Sequence, residues 1–97
     1  ANGLSAAESV GRAVMAACSQ QDQFTHVLNG RFKGGYITRQ YGNPQAGIHA
    51  VQLEKCQSIY MSELPPYDYK PALASQVQPL LHQMMLAALT QIKLLSV

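Results

Sequence analysis

Ninety-seven residues allow one small domain, because a chain this short removes only a modest share of its surface from water on folding. With 47% hydrophobic and 12% charged residues, against about 25% charged in an average soluble domain, it is too apolar for a disordered tail and leaves surface that expects a partner. A net charge of +2 without a basic run gives little electrostatic reason to expect nucleic acid or an anionic membrane. Two cysteines could form at most one disulfide and are too few for a secreted disulfide scaffold or a four-ligand zinc site.

In chain order, Ser5-Ala6-Ala7-Glu8 reads as a capping box, in which the serine oxygen accepts an orphan amide and the glutamate reaches back. The helix it predicts carries Val10, Val14, Ala17 and Cys18 on one apolar face, up to the polar break from Ser19 to Gln23. Phe24 to Asn29 is rich in β-formers and predicts a strand; Tyr36 to Tyr41 predicts a second, with Tyr36, Thr38 and Gln40 on one side and Ile37, Arg39 and Tyr41 on the other. Gly42-Asn43-Pro44 ends it, and Ile48 to Glu54 predicts a third.

Ser62 to Lys70, with Pro65-Pro66, reads as a connecting loop. Pro71 suits a first helical turn, and Leu73, Val77, Leu80, Leu81, Met84, Ala88 and Ile92 trace an apolar stripe to the end, with Pro79 expected to kink or divide the helix. The order predicts an α/β arrangement of about three strands flanked by an N-terminal and a long C-terminal helix. So small a sheet would have open edges, which suggests that it completes a larger sheet supplied by other residues. No apolar run approaches the roughly 18 residues of a membrane span. The start lacks an initiator Met and the order of a signal peptide, so a cytoplasmic piece of a longer protein is expected.

Chemistry concentrates between Asn29 and Gly42, where Arg31, Lys33 and Arg39 are set among glycines that let a ligand approach the backbone. Arginine grips a carboxylate with two parallel hydrogen bonds and lysine adds a mobile point charge, so the three could receive an acidic small molecule; the alternative is a hairpin whose cations face water. Glu54, at the end of an apolar run, could act as a base in a cleft, or could be an ordinary glutamate paired with Lys55, Lys33 or Arg39. His26, His49 and His82 lack metal-ligand spacing. His26 and His82 read as hydrogen-bonded structural residues, while His49, near Glu54, could support a site. Neither Cys18 nor Cys56 has a base placed beside it, so both read as reduced, buried thiols.

Residues 29–42, followed by Gly47-Ile48-His49-Ala50-Val51-Gln52-Leu53-Glu54 and Tyr60-Met61, resemble the C-terminal block of the N-formylglutamate amidohydrolases. Weaker similarity extends over Pro65-Pro66-Tyr67 and the final helix, so residues 1–97 read as the C-terminal portion of a single α/β amidohydrolase domain with a zinc-peptidase-like sheet. The resemblance implies a zinc-dependent enzyme that hydrolyses N-formyl-L-glutamate to glutamate and formate in histidine degradation. It further implies Glu54 as the catalytic carboxylate and Arg31, Lys33 and Arg39 as substrate-binding residues. The family's metal ligands lie upstream of this block, so zinc would be held by the missing N-terminal part, and the chain alone is expected to be inactive. A different class of function, a non-catalytic α/β module that binds an acidic small molecule through the same cations, remains the competing reading.

Overall fold

The computed structural model describes residues 3–30 and 34–96. Three α-helices organise it: α1 (Glu8–Ser19), α2 (Tyr36–Tyr41) and α3 (Pro71–Leu95), with short 3-10 turns at Pro44–Ala46 and Gln57–Ile59. The described residues contain no β-strand, only two isolated antiparallel bridges, Asn43 with Ile48 and Met61 with Tyr69. The expected α/β sheet of three strands is therefore overturned.

Each strand fails for a physical reason. At Phe24 the backbone is already committed: the Gln21 side chain accepts from the Phe24 amide at 2.8 Å and donates to the Phe24 carbonyl at 3.0 Å, leaving neither group for a ladder. Residues 36–41 are β-formers by type, yet without a neighbouring strand their backbone satisfies itself as a helix. Arg39 N–H donates to Gly35 O at 3.2 Å and Gly42 N–H to Thr38 O at 3.2 Å. Between residues 49 and 54 the chain has no regular structure. The Ala50 amide donates to Ser5 O at 2.8 Å, and Ile48, Val51 and Leu53 remain exposed.

Both end helices form where their apolar periodicity predicts. α1 packs on α3, and the core between and around them is small: Ala6, Val10, Cys18, Ala74, Val77 and Met84 are buried, with Val10 wholly removed from solvent. Cys18 Sγ lies 3.3 Å from Met84 Sδ, joining the last turn of α1 to the middle of α3. At 25 residues, α3 is about 37 Å long, most of the 46 Å long axis of the molecule. It runs unbroken through Pro79, so that proline does not divide it. Pro71 occupies the first turn as expected, but Leu73 is exposed and Ala74 takes the buried position instead.

The start of α1 differs from the capping box. Ala7 is the cap residue, and no side chain caps the helix in the usual way. Ser5 Oγ instead donates to Ala50 O at 2.8 Å, and the Ala7 amide donates to His49 Nδ1 at 3.0 Å. Glu8 pairs with Arg12 one turn on at 3.4 Å, an exposed ion pair worth about 0.3–0.5 kcal/mol. The loop from Ser62 to Lys70 closes on itself through Ser62 N–H to Asp68 O at 2.9 Å and Lys70 N–H to Tyr60 O at 2.8 Å.

Candidate functional site

One cleft of about 1050 Å³ is lined by Glu54, His26, Cys18 and Cys56. Its apolar lining comes from one face of α1 (Val14, Met15, Cys18), the middle of α3 (Val77, Leu80, Leu81, Met84) and Phe24. Its polar lining includes Glu8, Arg12, His26, Asn29, Gln52, Glu54 and Lys55. An apolar pocket edged by a few oriented polar groups is the usual form of a small-molecule site.

Glu54 lines this cleft, as a candidate base must, and its side chain is tied at one oxygen. Gln52 Nε2 donates to Glu54 Oε1, while Gln52 Oε1 accepts from the Gly35 amide at 2.8 Å. Through Gln52, the segment that bears Glu54 is joined to the glycine-rich segment. That segment also touches the cleft at Gly30 and Thr38. Thr38 is buried and donates to Gly35 O at 2.8 Å, which closes the first turn of α2. Gly34 has φ +97 and lies against the Thr38 side chain, a conformation and an approach that a larger residue would resist.

Of the three proposed substrate cations, only Arg39 falls among the described residues. Arg31 and Lys33 lie outside those residues. Arg39 is exposed on α2, one position beyond Thr38, and does not line the cleft. The only ion pair among the described residues is Glu8 with Arg12, so neither Lys55 nor Arg39 neutralises Glu54. The Lys55 ammonium instead sits 5.9 Å from the centre of the Tyr60 ring.

His49 serves the helix: with Nδ1 accepting from the Ala7 amide, its lone pair and not a proton points at α1. It thereby holds the start of α1 against the segment that leads to Glu54. His26 lies in the cleft with Nε2 3.3 Å from Ser19 Oγ, in keeping with a structural role, whereas His82 is exposed and makes no hydrogen bond to a described residue. Cys18 is buried, and loss of solvent pushes its thiol above the ordinary value of 9.0. Cys56, expected to be buried, is exposed and lines the cleft.

Sequence reasoning missed Gln52 and the pairing of His49 with Ala7. The only sequence signal for Gln52 is its place two residues before Glu54, which suits side chains on one side of an extended segment. Among the described residues, no group of three or more His, Cys, Asp or Glu could hold a metal ion, so these residues do not fit a zinc site of their own. No described helix is long and apolar enough to cross a membrane.

The family described as N-formylglutamate amidohydrolase matches residues 1–61, and the chain belongs to that family. It is 47% identical over 88 residues to the N-formylglutamate deformylase of Pseudomonas putida, covering 91% of this chain and 33% of that protein. It is also 46% identical over 70 residues to the N-formylglutamate deformylase of Pseudomonas aeruginosa, covering 72% of this chain and 26% of that protein. The chain thus spans a third or less of the length of these curated relatives. No solved structure gives a significant match.

Proposed function

We propose that this chain supplies part of the active site of an N-formylglutamate deformylase, an amide hydrolase that converts N-formyl-L-glutamate to glutamate and formate. The observation that carries the proposal is the family match over residues 1–61, a span that includes Glu54 and the cleft this carboxylate lines. In the reaction, water adds to the formyl carbon and the C–N bond breaks. Glu54 takes a proton from that water and delivers one to the leaving nitrogen, so the carboxylate is regenerated each cycle. Arg31, Lys33 and Arg39 receive the two carboxylates of the substrate, and arginine's paired donors favour that geometry.

Zinc dependence is proposed for the whole protein only. The described residues do not form a ligand set, so the metal would be held by residues beyond these 97, and turnover would need that part too. A cytoplasmic location and a place in histidine degradation accompany this reading. Formate release from N-formyl-L-glutamate by the full-length protein tests it. Glu54→Gln should lower kcat by roughly a hundredfold or more, within the range for loss of a general base, with a smaller effect on KM. Unchanged turnover would remove Glu54 from the reaction. Should the 97-residue chain bind glutamate saturably by calorimetry while the full-length protein releases no formate, the non-catalytic binding module would replace the enzyme.

A further inference from the structure

We propose that Gln52 is a positioning residue for this reaction: its side-chain amide fixes the Glu54 carboxylate and the glycine turn at Gly35 in one register. The inference rests on the reading of Glu54 as the base and assigns a separate task to a neighbour that does not touch the reacting atoms. A primary amide has two unlike ends, and here each end has one hydrogen-bond partner among the described residues. The Gly35 N–H can only donate, so at 2.8 Å it must face Oε1. That orientation turns the Nε2 donor to Glu54 Oε1, an oxygen that can only accept when ionised. One oxygen of the carboxylate is thus engaged, and the other accepts no hydrogen bond from a described residue.

The second consequence concerns the substrate. Gly35 ends the stretch that contains Arg31 and Lys33, and its amide is held to the segment of Glu54 by Gln52 alone among the side-chain contacts of the described residues. Gln52 therefore connects the catalytic carboxylate with the segment assigned to the substrate's carboxylates. A shift of about 1 Å between such groups costs on the order of a hundredfold in rate.

Two substitutions in the full-length protein separate this role from a merely structural one. Gln52→Glu keeps an acceptor for the Gly35 amide but sets a like charge against Glu54; Gln52→Met removes both hydrogen bonds at similar size. With Gln52→Glu, the Gly35 amide should stay protected from hydrogen exchange, KM should change by less than about threefold and kcat should fall roughly tenfold to a hundredfold. With Gln52→Met, Gly35 protection should be lost, and KM should rise while kcat falls. The double variant Glu54→Gln/Gln52→Met should lose no more kcat than Glu54→Gln alone, because an absent base has nothing left to position. Wild-type kcat in Gln52→Glu with a protected Gly35 amide, or losses that multiply in the double variant, would overturn the inference and leave the Glu54 reading standing. Wild-type kcat in Glu54→Gln would end both.

Discussion

Gly42→Ala sets two opposing effects against each other, and the structure decides which wins. Gly42 has φ −68 and ψ 126, angles that alanine adopts freely, so by backbone entropy alone the substitution should stabilise the fold by about 0.4–1 kcal/mol. A Cβ at this position, however, would overlap the Ser5 carbonyl oxygen and come within 2.6 Å of Ser5 Cα and 2.7 Å of Ser5 Cβ. Two of these are backbone atoms and the third is the Cβ fixed to them, not the end of a flexible side chain. Ser5 is fixed to Ala50 by two hydrogen bonds of 2.8 Å, and Ala7 to His49 by a third of 3.0 Å. If the segment at Ser5 must move, these three bonds are strained or lost at about 0.5–1.5 kcal/mol each. A net destabilisation of about 1–4 kcal/mol follows, against a total of about 5–15 kcal/mol for a typical domain.

Urea unfolding of the 97-residue chain followed by circular dichroism measures the difference. Gly47→Ala provides the control: Gly47 has φ +80 with nothing within 4 Å of its added Cβ, so its cost is conformational only and should stay near 1 kcal/mol. A Gly42→Ala chain as stable as the parent, or more so, would refute the reasoning that residues 5–7 and 49–50 are locked together beside Gly42. Because residues 49–50 lead into Glu54, the same substitution should also lower the proposed deformylase turnover of the full-length protein.

Val10→Ala, at a fully buried side chain, should cost about 2 kcal/mol, from two methyl groups at about 0.8 kcal/mol each plus the cavity they leave; a loss under 0.5 kcal/mol in the same assay would mean that the core relaxes around it. A thiol reagent should label Cys56 in the folded chain and reach Cys18 only on unfolding, with peptide mass mapping to identify the site; equal labelling rates would contradict the burial of Cys18. Burial raises the Cys18 thiol above 9.0, so the unfolded chain releases this proton first. The contribution of Cys18 is therefore complete below pH 9.0 and declines above it, and the stability gap between the parent and Cys18→Ala should narrow in that alkaline range. For Arg39→Lys in the full-length protein, loss of a two-point grip on carboxylate should raise KM several-fold with little change in kcat; identical kinetics would return Arg39 to the solvent-facing surface on which α2 holds it.

The sequence by itself determined the two long helices and the segments in which the candidate chemistry lies. A helix closes its hydrogen bonds within four residues, so the spacing of Val10, Val14 and Cys18, or of Val77, Leu80, Leu81 and Met84, suffices to announce it. Glu54 was legible as a cleft carboxylate because it ends an apolar run, and Arg39 was legible as a cation but not as one outside the lining of that cleft. Only the tertiary structure decided the strands, because a strand's hydrogen bonds lie on another segment that local pattern cannot supply. Tyr36 to Tyr41 coiled for want of a partner, and Gln21 captured the backbone of Phe24. The same holds for the contacts that arrange the site: His49 meets Ala7 across 42 residues and Gln52 meets Gly35 across 17, distances in sequence that no periodicity encodes and that packing alone closes.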